Sequence, residues 1–411
     1  MGCSLRRWLR ISFLNLLIVG FIGVVLRYKI AFYLPFIDQK HLLHGHSHFA
    51  FAGWITQVLM VSLIQYLNQF KGETVFKKYR WLLYGNLVTA YGMLIAFPLQ
   101  GYGLWSISFS ALSIVNSYFF AILYWKDLNT IANKSTSHLW YKAALFFYVI
   151  SSLGAFSLSY MMANKIMHQN WYLAAEYYFL HFQYNGWFFF AAMGLLVSRF
   201  EKIISATKQL KIIFWLFFLA GIPAYFLSAL WMPIPTIVYC MVIASAVAQL
   251  AGWAMFIRLI IKNKETIKSD LPINGQRLLL LSAIALTIKL LLQLGSTHPA
   301  ISQLAFGFRP IVIAYLHLVL LGVITIFIFG YTISMNLLHA GKYYMTGIWI
   351  FVSGIIINEI LLMLQGVSGL SYIIIPLMNE LLFGAAIIMF SGLLIFNLNF
   401  SRPVDAYEPE A

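Results

Sequence analysis

The sequence predicts an all-α membrane protein, a bundle of about twelve transmembrane helices resting on three observations. Hydrophobic residues make up 62% of the 411 residues and charged residues only 9%, where a soluble chain carries about 25% charged residues. Mean hydropathy is +0.83. Apolar runs of the length a bilayer requires, about 20 residues, recur along the whole chain between charged or Pro/Gly punctuation. Aromatic residues, at 17%, suit a lipid-embedded bundle with interfacial belts.

In chain order the runs fall at roughly 11–36, 41–66, 80–101, 104–125, 140–163, 171–198, 211–231, 235–261, 277–296, 309–337, 343–365 and 372–398, with boundaries uncertain by about four residues. The first run is too long, and too charged at both ends, for a cleaved signal. No soluble domain fits between the spans, so residues 1–411 read as a single polytopic transmembrane domain. Orientation follows from the basic residues. With a cytoplasmic N-terminus, the inner segments hold 21 of the 27 Lys and Arg, from Arg6, Arg7 and Arg10 through Lys262, Lys264 and Lys268 to Arg402. Both termini are therefore expected inside, and even-numbered spans start at the outer face. The net charge of +15 comes from these inner loops and does not call for a nucleic-acid partner; the lipid bilayer is the partner implied. Cys3 and Cys240 suggest no disulfide framework. Arg6 in MGCSLRR breaks the myristoylation pattern.

Histidine placement carries the functional signal. HLLHGHSHFAFAGW puts His41, His44, His46 and His48 at the outer start of the second span. His181 lies about ten residues into the sixth span and His317 about eight into the tenth, depths of about 15 and 12 Å at about 1.5 Å per residue. All three groups enter from the same face. Polar groups at membrane depth are costly and usually functional, and imidazole ligates both metals and haem iron. His44 and His48, four apart, share a helix face while His46 points elsewhere. Spacing alone leaves open a bis-histidine haem or a zinc or copper site. His138, His168, His298 and His339 sit at span ends or in loops and read as interfacial.

Twelve spans with histidines on the second, sixth and tenth resemble subunit I of the haem-copper oxidase superfamily, which includes the nitric oxide reductases. LHGHSHFAFAG (43–53) matches the family's low-spin haem helix, with His44 in the ligand place. AYLHLVLLG (314–322) matches its A-H-x-H helix, with His317 as the second, low-spin ligand and Tyr315 in place of the high-spin one. HFQYNG (181–186) matches the reductase H-x-x-x-E-G, keeping the copper-type His181 and Gly186 but carrying Asn185 for the glutamate. The seventh span lacks the family's two adjacent copper histidines. The respiratory tyrosine four places after the sixth-span histidine is absent, and Tyr184 stands one position early. HGHSH also resembles, more weakly, a twelve-span haem family of nitric oxide stress.

The resemblance implies a membrane haem protein with one-electron transfer through haem b on His44 and His317. Its second, gas-reducing centre is degenerate or rebuilt around Tyr315, Tyr184 and Glu176, with copper in doubt. Arg309 is the candidate for a haem propionate, and His181, His46 and His48 are the candidate metal ligands. A quinol or cytochrome c donor, a further membrane subunit and a bacterial inner membrane location complete the expectation. No CxxCH occurs, so covalent haem c is not expected. Two alternatives are a non-haem zinc or copper protein using His41–His48 and a cofactor-free transporter on the same fold. Lys289 is expected to pair with Glu359 or Glu380. Gln57, Asn86, Gln100 and Gln183 are expected to hydrogen-bond between helices.

Overall fold

A computed structural model describes residues 3–72, 74–302, 309–338, 341–371 and 373–400. His339 and Arg402, read above as interfacial and cytoplasmic, lie outside the described residues. The chain runs through α1 (Cys3–Ala31), α2 (Gln39–His48), α3 (Gln57–Lys71), α4 (Thr74–Gln100), α5 (Leu104–Asn129) and α6 (Thr136–Ala163). It continues through α7 (Gln169–His181), α8 (Phe189–Phe200), α9 (Thr207–Gly221), α10 (Thr236–Lys262), α11 (Lys264–Asp270) and α12 (Ile273–Gly295). Then come α13 (Arg309–His317), α14 (Ile326–Ser334), α15 (Tyr344–Leu370) and α16 (Met378–Phe400). No strand occurs among the described residues.

Among those residues ten helices are long and apolar enough to cross a membrane, or eleven if α9 and the short 3₁₀ helix bent 47° from it count as one span. The stretch 169–200, expected as the sixth span, is not among them. Its middle carries His181, Gln183 and Asn185, which dilute its apolar character. Many lipid-compatible side chains are exposed along these helices, among them Leu99, Leu104 and Ile237. In a bundle without water around it, such exposure is the normal state of the lipid-facing surface.

The chain divides into two compact units, Met1–Phe120 with Met335–Ala411, and Ala121–Ser334. In the first unit α15 and α16 meet backbone to backbone. A Cβ on Gly347 would stand 2.5 Å from Phe396 N and 2.7 Å from Gly392 O, so only glycine permits the approach. Lipid tails offer no hydrophobic drive between helices, and small residues that let backbones touch supply packing instead. Phe13 of α1 packs on Phe396 (4.9 Å) and on the buried Trp54 (5.4 Å).

The second unit centres on aromatic rings. Trp140 is fully buried against Phe190 (5.2 Å) and Phe214 (5.3 Å), and Trp187 stacks on Tyr148 at 4.6 Å. The α6 N-terminus is closed by Glu201, whose carboxylate accepts from Thr136 N at 2.5 Å and Ser137 N at 3.3 Å, where a negative charge also meets the positive end of the helix dipole. His138, expected to be solvated at this helix end, is instead buried. His168 and His298 are exposed, as expected.

Candidate functional site: three histidine helices

Each of the three histidine-bearing helices changes winding directly after a histidine. His48 is followed by a π-helical segment Phe49–Thr56, His181 by Phe182–Phe188, and His317 by Leu318–Thr325. A π segment adds a residue to a turn and costs regular hydrogen bonding, so it persists where the environment compensates and frequently marks a functional site. The compensation is visible. Asn15 Nδ2 donates to Gly53 O at 2.6 Å, and Asn86 Nδ2 donates to Ala52 O at 2.9 Å. Both asparagines are themselves held, Asn15 by the Tyr91 hydroxyl (2.7 Å) and Asn86 by Gln57 Oε1 (2.8 Å). In the second unit the Ser282 hydroxyl donates to Val323 O of the third π segment at 2.8 Å. Backbone groups freed inside a bilayer must find such partners, since water is absent.

In the first unit the four clustered histidines face different surroundings. Asp38 caps α2 by accepting the His41 N–H at 2.8 Å. This bond holds the Asp38 carboxyl below its ordinary range. The His41 ring sits against Gly101, which has a positive φ of 61°. The His44 ring meets the edge of Tyr102 at 4.7 Å, and its buried Nε2 has no hydrogen-bond partner. His46 lies against Gly23 and leaves Nδ1 buried without a partner. The His48 ring stacks on Phe97 at 4.4 Å and 16°. Among the described residues no three His, Cys, Asp or Glu stand together to hold a metal ion. A shared zinc or copper site on His41–His48 is therefore not assembled.

His181 is built differently. It is 1% exposed, and its Nε2 lies 2.9 Å from Gly221 O while its Nδ1 lies 3.1 Å from Asn185 Nδ2. A carbonyl only accepts, so Nε2 carries the proton and Nδ1 accepts from the Asn185 amide. The reason for the first bond lies in α9. The helix ends at Gly221 and turns 47° into a 3₁₀ helix beginning at Pro223. Proline brings no N–H, and Tyr225 N bonds to Ile222 O instead. His181 satisfies the Gly221 carbonyl at this break. Both ring nitrogens are spent on protein, so His181 has no lone pair for copper. The expectation of a copper ligand there gives way to a helix clamp, and Asn185, where the reductase motif has glutamate, is part of it.

Tyr184 is 3% exposed and meets the Tyr315 ring edge-on at 6.3 Å, so the two predicted tyrosines do come together. Arg309 begins α13 and is exposed, and Glu176 is exposed on α7. His317 ends α13, at the entry to its π segment. The expected Lys289 pairing is not made. Lys289 has no carboxylate partner among the described residues and no acidic group acts on it, while Glu359 accepts from Asn358 Nδ2 at 3.1 Å and interacts with Arg27. Gln57 bonds Asn86, and Gln183 Nε2 donates to Ser151 Oγ at 2.9 Å. Gln100, with its amide oxygen turned to the next helix, accepts from Trp105 N and Ser106 N and caps α5.

No protein-family profile matches the sequence, and no curated protein matches it. A solved structure does. It is a heme-copper terminal oxidase dimer determined by cryo-EM, aligned at a TM-score of 0.69 with 11% sequence identity, covering 97% of this chain and 84% of that one. The resemblance read from short histidine motifs therefore extends to the whole architecture, and this chain is a multi-pass membrane protein with the fold of a heme-copper terminal oxidase.

Proposed function

We infer that the protein is a membrane haem protein of oxidase type, transferring single electrons through one low-spin haem b. His44 and His317 are its axial ligands. The observation that carries this reading is His44 Nε2, a buried imidazole nitrogen without a hydrogen-bond partner. A buried polar atom left unpaired is expensive, and an imidazole nitrogen reserved for iron accounts for the cost. The oxidase-like fold and the π segments after His48 and His317 support it. Bound there, a bis-histidine haem supplies reversible one-electron chemistry.

The chain's own groups set the rest. Tyr102, edge-on to His44, orients the ligand ring and excludes water. Arg309 offers a guanidinium to a propionate at the outer end of α13. Tyr184 and Tyr315 line a rebuilt second site, with Glu176 as the nearest carboxylate on the same entry helix. Copper has no part in this reading, because His181 is occupied. The donor is a quinol or a cytochrome c, the setting a bacterial inner membrane with both termini cytoplasmic, and a further membrane subunit is an expected partner.

Detergent-purified protein should show a reduced-minus-oxidised haem b spectrum with stoichiometric iron. His44→Ala and His317→Ala should each abolish or strongly shift it, while His181→Gln leaves it in place. An iron-free, colourless preparation refutes the assignment.

A further inference from the structure

The second unit contains a small polar cavity in the membrane that the haem reading does not use. It is lined by Asn185, Gly221, Gln249 and Lys289 among the walls of Phe189 and Phe217, with about 10 Å³ of room for the centre of a water-sized guest. Lys289 is 5% exposed and Gln249 6%. Neither makes a hydrogen bond to another described residue, and no acidic side chain acts on Lys289. The other polar groups in the wall are committed, since the Gly221 carbonyl and the Asn185 amide both hold His181.

An ammonium has donors only, and the Gln249 amide adds an NH₂. The uncommitted donors of this cavity therefore have no anionic acceptor. A lone charge in a low-dielectric interior is unfavourable unless a counter-charge stands beside it. The carboxylates of this unit do not fill that role. Glu201 caps α6, Asp270 pairs with Arg199, and Glu265 faces Lys264 and Lys268. The cavity admits a guest close to water in size, and its aromatic walls suit a weakly hydrated ion better than a strongly hydrated one.

We propose that this cavity is a binding site for one small monovalent anion of the halide class, held by Lys289 Nζ and the Gln249 amide. The site is independent of any haem, and it gives the buried lysine its missing counter-ion. Its neighbourhood to the His181 clamp means that occupancy stiffens the α9 break from the side opposite His181.

The test uses the detergent-purified full chain, unfolded thermally in sodium chloride and in sodium gluconate at equal ionic strength, so that screening of surface charge cancels. Chloride should raise the Tm of the wild type by about 2–4 °C, the size a ligand well above its Kd produces. Lys289→Met should lose the chloride-specific rise altogether. Gln249→Leu should need at least tenfold more chloride for the same shift, which keeps the test open if Lys289→Met does not fold. Crystals soaked in bromide should show an anomalous peak in the cavity. A wild type indifferent to chloride, an equal rise in Lys289→Met, or bromide absent from the cavity each overturns the proposal and leaves water as the occupant.

Discussion

Replacing His181 by Phe removes two hydrogen bonds while keeping an aromatic ring of similar size, and so isolates the clamp from the packing. The bonds lost are Nε2–H to Gly221 O at 2.9 Å and Asn185 Nδ2 to Nδ1 at 3.1 Å. Side-chain hydrogen bonds in membrane proteins average about 0.6 kcal/mol and reach about 1.7. The Gly221 bond belongs at the upper end, because the proline-broken turn gives that carbonyl no backbone donor and the residue is buried. Together the two come to about 2–3 kcal/mol. Stability can be read by titrating the detergent-purified protein with a denaturing detergent and following tryptophan fluorescence. A His181→Phe, Asn185→Leu double-mutant cycle should return a coupling close to the value of the Asn185 bond alone, about 0.6 kcal/mol. Were His181 a metal ligand instead, His181→Phe would lose stoichiometric metal with stability little changed. That outcome, or a His181→Phe variant as stable as the wild type, refutes the clamp.

The first π segment gives a parallel expectation. Asn86→Leu leaves Ala52 O and Gln57 without their partner and should cost about 1–2 kcal/mol, measured in the same titration. Gly347→Leu drives a side chain into the backbone of α16 and should destabilise the first unit by about 1–3 kcal/mol or more, read as a lowered Tm. Asp38 predicts a pH effect at the start of α2. Its carboxyl is held below the ordinary value of 3.8 by the His41 N–H. The stabilisation is therefore present above the ordinary value and lost as pH falls through the lowered one. Asp38→Ala should remove that acid-side dependence of Tm, and an unchanged pH profile would contradict the cap.

Much of the architecture was legible in the sequence because the bilayer imposes a length and a hydrophobicity on every span. Eleven of the twelve expected spans coincide with helices long and apolar enough to cross, if the bent pair counts as one. The sixth escapes that description because it is a helix interrupted by a π segment and loaded with polar groups. Histidine spacing pointed to the right three helices, and the Tyr184–Tyr315 contact brings together two residues chosen from separate motifs. What sequence periodicity could not give was the partner of each imidazole. His181 binds a carbonyl 40 residues away, and that partner is orphaned only because Pro223 breaks its helix. The proline was visible as a kink, and an orphaned carbonyl beside it is the signal a closer reading could have followed. Lys289 was misjudged for a related reason. Opposite charges in separate spans suggest pairing, but Glu359 has Arg27, an equally buried cation at a less obvious position.

The inserted turn after each histidine also has a bearing on how this chain is compared and engineered. Deleting one residue anywhere within 49–56 would let that stretch rewind as ordinary α-helix. Every residue before the deletion would then swing by about 100° and shift by about 1.5 Å relative to those after it. The histidines would leave their present neighbours Tyr102, Gly23 and Phe97 without a single one of them being substituted. Length at these three places is therefore as much a part of the site's chemistry as residue identity, and an alignment that closes such a gap to keep a helix continuous would pair the wrong side chains.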